Sequence, residues 1–199
     1  MYTSTDSTSD DSRRLRPSVW RVIMPFLVVN CALGLVFLWT VHRDRSPVAP
    51  SLIGSSHSEI AAKTLGGAST RLILDARERH TLVYVFSPSC VWCRRNERSL
   101  AALATALRQS DPKTKLVALS LSGQGLEQYI PRIPVEFDVI FDPEPDSVTD
   151  LSLRSTPRTI LFDARGTLIK DWSGAYTPEL AADISQYFGI LVPPIAEIR

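Results

Sequence analysis

The chain has 199 residues, with 22 Lys+Arg against 21 Asp+Glu, 44% apolar residues, three Cys and three His. A net charge of +1 lacks the basic excess with which nucleic-acid binders displace counterions. Nine Gly and a charged fraction of 22% exclude collagen-like and wholly disordered chains, and three Cys are too few for a disulfide-stapled scaffold.

In chain order, residues 1–18 are rich in Ser, Thr and Asp and then in Arg, which predicts a disordered tail. Val22 to Val41 reads VIMPFLVVNCALGLVFLWTV, twenty positions without a charge. At about 1.5 Å per residue such a helix matches the hydrocarbon thickness of a bilayer, and Trp20 and Trp39 lie where interfacial rings belong. Residues 19–41 therefore read as one uncleaved transmembrane anchor. The run is longer than a signal-peptide core, and Cys31 lies inside it as a small apolar residue. Arg13, Arg14, Arg16 and Arg21 precede the run, against Arg43 and Arg45 after it. That bias puts the N-terminus in the cytoplasm and the remaining chain outside it, in the periplasm if the cell has an outer membrane. Residues 42–68, with Pro, Ser and Gly, read as a linker. Within them, Ser56-x-x-Glu59 has capping-box spacing and predicts a short helix over 58–65 ended by Gly66.

Residues 69–199 read as the folded domain. Thr81–Phe86 (TLVYVF) predicts a buried strand. Leu100, Leu103, Ala104 and Leu107 recur at helical spacing. Lys115–Leu121 predicts a strand, Gly125–Ile130 a short helix ended by Pro131 and Pro134, Phe137–Phe141 an edge strand, and Pro145–Leu153 a helix. Thr159–Phe162 and Thr167–Trp172 predict strands joined by the turn Asp163–Gly166. Thr177 and Pro178 open a last helix whose inner face is Leu180, Ile184 and Tyr187, and Gly189 closes it. The order β–α–β–α–β–α–β–β–α predicts an α/β sandwich with a mixed sheet.

Cys90-Val91-Trp92-Cys93 stands between a strand and a helix. Two intervening residues in a first helical turn bring the sulfurs within bridging reach. Cys90 falls at the helix start, where free N–H groups and the macrodipole favour a thiolate, and Arg94 and Arg95 push the same way. Positions 93, 96, 100, 103 and 107 share one face, so Cys93 enters the core. Cys90 is then the attacking thiol and Cys93 the resolving one, and exchange chemistry needs no metal or cofactor. A zinc site would need four ligands, and the chain offers no second pair; His42, His57 and His80 all precede the motif.

With these residues the chain resembles the thioredoxin superfamily, in particular the membrane-anchored, extracytoplasmic TlpA/ResA-like thiol–disulfide oxidoreductases. The resemblance spans about Leu72 to Phe188. It rests on CVWC after TLVYVFSPS, on Ser155-Thr156-Pro157 before the strand RTILFD, and on the hairpin ending near Gly174. It implies a thioredoxin-like three-layer sandwich with a mixed central sheet, preceded by one transmembrane helix. It further implies a cis Thr156–Pro157 bond facing Cys90, with Thr156 and Pro157 forming the wall of the substrate groove; Trp92, beside Cys93, is placed to pack on substrate or to shade the sulfurs. The implied partners are exported proteins carrying disulfides or dithiols, with a membrane thiol transporter as electron donor; reduction is the expected direction and a monomer the expected state.

The chain departs from that family at four positions. Ser89 stands where the family has Trp, and Trp92 where it often has Pro. Tyr84 occupies the place of a buried Asp, and Asn96 that of a Glu three residues after the second cysteine. Asn96 can hydrogen-bond but cannot accept a proton at neutral pH, and Glu97 points about 100° away around the helix. With no other carboxylate near, deprotonation of Cys93 depends on water, and slower turnover or a narrower range of partners is the expected consequence. A thioredoxin-like copper module or metallochaperone is the alternative reading, since soft thiolates suit Cu(I), although no His follows His80. Peroxide reduction and a non-catalytic adaptor remain as further alternatives.

Overall fold

The structure, a computed structural model, describes residues 23–25, 27–34, 52–75 and 79–196. The chain divides into two units, Met1–Pro50 and Ser51–Arg199. In the first, residues 23–25 and 27–34 are helical. Among the described residues no helix is long and apolar enough to cross a membrane. The expected tail and much of the expected anchor at 19–41 lie outside the described residues.

The second unit is built on a seven-stranded mixed sheet. Its strands are β1 (Glu59–Thr64), β2 (Ser69–Ile73), β3 (Thr81–Phe86), β4 (Lys115–Ser120), β5 (Asp138–Phe141), β6 (Arg158–Phe162) and β7 (Leu168–Ser173), in the spatial order β2-β1-β5-β4-β3-β6-β7. Strand β3 pairs in parallel with β4 and antiparallel with β6, and β4 pairs in parallel with β5. The helices are α1 (Val91–Ser110), α2 (Leu126–Tyr129), α3 (Pro145–Asp150) and α4 (Pro178–Phe188), with a 3-10 turn at Ile130–Arg132. Helices α1, α2 and α4 cover the sheet face of Leu82, Tyr84 and Phe86; Leu151 and Leu153, just after α3, cover that of Val83 and Val85. Three layers result, because β3 is fully buried on both faces and needs cover on each.

The segment 58–65 is not a helix. Glu59–Thr64 forms β1, which pairs with β2 from Glu59↔Ile73 to Lys63↔Ser69 and with β5 at Lys63↔Phe141. Burial of Ile60 and Ala62 on one face follows the two-residue period of a strand. Ser56 makes no cap; it bridges Thr167 instead. The sheet therefore takes up the end of the expected linker. It also makes β5 an interior strand, not the expected edge, since β1 covers it.

The short helix ends at Tyr129, just before Pro131 as expected; Pro131 itself lies in a 3-10 turn that follows, where its missing N–H costs nothing. A smaller correction concerns the last helix. In α4, Thr177 accepts from Leu180 N–H, Pro178 opens the helix and Gly189 closes it at φ 66°. Ile184 is buried, with Ala181 beside it, and Leu180 packs against the core as expected, but Tyr187 is 41% exposed. Tyr187 turns its ring edge to Trp172, with centroids 5.5 Å apart.

The turn between β6 and β7 forms as its sequence suggests. Asp163 Oδ1 accepts from the N–H groups of Arg165 and Thr167 at 2.8 Å each. Gly166 has φ 75°, and a Cβ there would lie 2.1 Å from the His57 carbonyl, so only glycine fits.

Candidate active site

Strand β3 ends at Phe86, and the chain turns through Ser87, Pro88 and Ser89 into α1. Cys90 is the N-cap of that helix: its Sγ accepts from the Cys93 N–H at 3.2 Å. The cap role that Ser or Asp fills elsewhere is taken here by sulfur, whose anionic form the helix-start N–H groups favour, with no acidic residue in the first turn to oppose them.

Cys90 is half-buried and Cys93 fully buried, and neither forms a disulfide in this structure. Burial pushes the Cys90 thiol up. Hydrogen bonds from the Cys93 and Thr156 side chains and from the N–H groups of Cys93 and Trp92 outweigh it, so the net shift is downward. For Cys93, burial, the hydrogen bond with Cys90 and the charge of Cys90 all disfavour the thiolate, and its pKa is pushed up to about 12. One thiol is thus prepared to attack, and the other is held protonated until the first is consumed.

The loop before β6 faces this pair. The Thr156–Pro157 peptide is cis, and the Thr156 carbonyl lies 3.5 Å from Cys90 Sγ. Pro157 is buried, and Thr156 is half-buried. Trp92 projects outward, 47% exposed, with the Arg95 guanidinium 5.0 Å from its ring centroid. Arg95 is therefore engaged by the indole, and what lowers Cys90 against the larger effect of burial is hydrogen bonding instead of the arginines. All five expected site residues, Cys90, Trp92, Cys93, Thr156 and Pro157, fall on adjoining segments at the ends of β3 and β6.

Asn96 is fully buried on the Cys93 face of α1, as its spacing requires. Its Oδ1 accepts from the Tyr176 N–H at 2.8 Å. Glu97 points elsewhere and pairs with Arg132 at 3.2 Å. No carboxylate is among the leading influences on Cys93. Sequence reasoning did not foresee two tyrosines. Tyr129 stacks on Phe86 with centroids 5.1 Å apart, and it feels charge on Cys93, Glu97 and Cys90. Tyr176 donates or accepts at Thr159 Oγ1, 2.7 Å away. No local pattern marks them, because each reaches the site from a distant part of the chain. Among the described residues no group of three His, Cys, Asp or Glu side chains could hold a metal ion.

No family model and no curated protein matches the chain. Solved structures do. A protein from Chlorobium tepidum titled as a thiol:disulfide interchange protein DsbE superposes with a TM-score of 0.56 and 18% identity, over 69% of this chain and 96% of that one. The thioredoxin domain of a thiol-disulfide oxidoreductase from Bacteroides vulgatus gives 0.55 and 18%, over 68% and 97%. StoA from Bacillus subtilis gives 0.50 and 18%, over 65% and 98%. The second unit has the thioredoxin-like fold, and several of its structural neighbours are named as thiol:disulfide interchange proteins or disulfide oxidoreductases.

Proposed function

We propose that this chain is a thiol–disulfide oxidoreductase that works through Cys90 and Cys93. The observation that carries the reading is the opposite tuning of two thiols within one helical turn, beside the carbonyl of Thr156. The Cys90 thiolate attacks a substrate disulfide, forming a mixed disulfide and releasing one substrate thiolate. Loss of the Cys90 charge removes one of the influences that hold Cys93 protonated. Cys93 then attacks Cys90 Sγ, the second substrate sulfur leaves as a thiol, and the proton given up by Cys93 balances it. The enzyme pair ends oxidised and the substrate reduced.

The exposed face of Trp92 offers an apolar platform for the substrate, and Thr156 with Pro157 forms the wall that its extended backbone lies along. The apolar run at 22–41 acts as a single-pass anchor with its N-terminus in the cytoplasm. The catalytic domain is extracytoplasmic and monomeric, and acts on exported proteins. Reduction is the favoured direction, with electrons from a membrane thiol transporter.

The test is the midpoint potential of the pair, measured on the full chain in detergent against defined thiol buffers. A value near or below about −220 mV supports a reductase. A value near about −120 mV overturns the direction and makes the protein an oxidant. Failure of Cys90 and Cys93 to form a reversible disulfide overturns the whole reading.

A further inference from the structure

Beside the sulfurs the interior holds polar atoms that nothing satisfies. Tyr84 Oη and Asn96 Nδ2 are both buried without a hydrogen-bond partner. Native interiors rarely leave donors in that state, since each gives up water and gains nothing in return. The two are neighbours: the Asn96 side chain is near enough to act on the Tyr84 phenol, although no hydrogen bond of good geometry joins them. Asn96 is held in one orientation, because its Oδ1 accepts from the Tyr176 N–H. That leaves the NH2 group turned to the remaining side. Cys93 lies one turn earlier on the same face of α1, and it packs in the same buried cluster as Tyr84.

Two buried donors without an acceptor, packed on the same side of the sheet as a buried sulfur, are complementary to an anion. We propose that Tyr84 Oη–H and Asn96 Nδ2–H receive the Cys93 thiolate during resolution, so that this chain stabilises its second nucleophile with neutral donors. The inference rests on the exchange reading above and goes beyond it to the resolving step. Tyr84 cannot act as the base: burial holds its phenol well above the ordinary range, and it remains a donor throughout. The proton of Cys93 instead passes to solvent or to the departing substrate sulfur, while the Cys93–Cys90 bond forms and the Cys90–substrate bond breaks. Asn96 can in turn donate to Tyr84 Oη, which strengthens the phenol as a donor.

The other groups facing Cys93 do not supply this. Cys90 is its reaction partner; the Ser87 backbone and the Thr156 side chain do favour the Cys93 thiolate, but burial outweighs them, so further donors are needed when it forms. Tyr129 approaches from α2 within reach of the Glu97 and Arg132 charges, and Tyr176 Oη is already engaged with Thr159. Tyr84 and Asn96 are thus positioning residues that act through Cys93.

The experiment uses the full chain in detergent with Cys31→Ala, so that only the site thiols react. The reduced protein is mixed with the aromatic disulfide dithiobis-nitrobenzoate. Attack by Cys90 releases one coloured thiolate, and attack by Cys93 on the mixed disulfide releases a second. In Tyr84→Phe the ratio of the second rate to the first falls between about tenfold and a hundredfold at neutral pH, the worth of a hydrogen bond to a charged group. The pH profile of the second release shifts upward. Thermal unfolding does not weaken, because the lost hydroxyl had no partner. An unchanged ratio and profile overturn the inference while the first release still stands. Absence of the first release overturns the exchange reading itself. A lower melting temperature with an unchanged profile assigns Tyr84 to packing alone and also overturns the inference.

Discussion

On one face of the sheet, Val83, Val85, Val117 and Ile160 meet Ile60, Leu74, Leu151 and Leu153 in an aliphatic interior. On the other, beneath α1, Cys93, Asn96, Ser99 and Tyr84 set sulfur, nitrogen and oxygen among Leu82, Leu100 and Leu103. The aliphatic face does include one charged side chain at its margin, and each of its three nitrogens has a partner. Arg158, 5% exposed, donates to both oxygens of Asp171 at 2.8 and 2.7 Å and to the carbonyls of Leu151 and Ser152 at 2.8 and 2.9 Å. On the other face Tyr84, Asn96 and Ser99 each leave a polar atom without a partner. Thr81 Oγ1, at the start of β3 on the Val83 side, also has no partner, but three of the four such atoms among the described residues lie on the face of the reacting sulfur, so the first face is organised mainly for stability and the second for chemistry.

The sharpest way to break this comparison is at the sulfurs. Cys90→Ser removes both releases from the aromatic disulfide assay down to background. Cys93→Ser keeps the first release and accumulates the mixed disulfide, which mass spectrometry detects as one added aromatic thiol. Equal residual turnover in both variants would make the assigned roles wrong.

The next largest effect is on stability, at the satisfied charge. Asp171→Ala strands Arg158 and costs about 3 kcal/mol in urea unfolding, the low end for a buried pair because Asp171 retains some exposure. A loss below about 1 kcal/mol would place Arg158 among weak surface pairs.

The third is a pH profile. Because the Cys90 pKa is lowered, its alkylation rate reaches its plateau below the ordinary thiol value of about 8.5, and falls as pH drops through the Cys90 pKa and the thiolate is lost. The same thiolate stabilises the reduced fold above that ordinary value, and this contribution disappears over the same descent. Cys93 remains unreactive across the range, as its pKa of about 12 requires. Peptide mapping after alkylation reads the two sites separately.

The smallest effect is also the most specific to the polar face. Ser99→Ala deletes a buried hydroxyl that has no partner, so stability holds or rises by up to about 1 kcal/mol. An equal loss would mean that the hydroxyl is satisfied in solution, and that the polar face is less exceptional than it looks.

Much of this was legible in the residues. The continuous run TLVYVF, the helical spacing of Leu100, Leu103 and Leu107, and the caps Thr177 and Gly189 are local signals, and each element formed near its expected place. The pair Cys90–Cys93 announced itself by spacing, and the spacing also placed Asn96 beside Cys93. What escaped depended on distant partners. Glu59–Thr64 is short and carries helix-like capping residues; only pairing with β2 and β5 makes it a strand. Tyr187 has the right spacing for an inner face, yet Trp172 and the helix orientation leave it partly outside. Tyr84 was visible as a substitution, but the vacant donor it presents to the sulfur arises only when β3 and α1 pack.

The position of β1 has a practical side. It lies between β2 and β5, and the segment before it is tied to the last hairpin through Gly54 N to Leu168 O at 2.8 Å and His57 N to Gly166 O at 2.9 Å. A fragment begun at residue 69, where the alternating pattern suggests the fold starts, strips one edge of β5 and leaves its N–H and C=O groups as a template for self-association. Begun at residue 52 or earlier, it retains the strand that closes that edge. Soluble expression of the catalytic portion therefore depends on where the polypeptide is cut, well away from the cysteines that make it worth expressing.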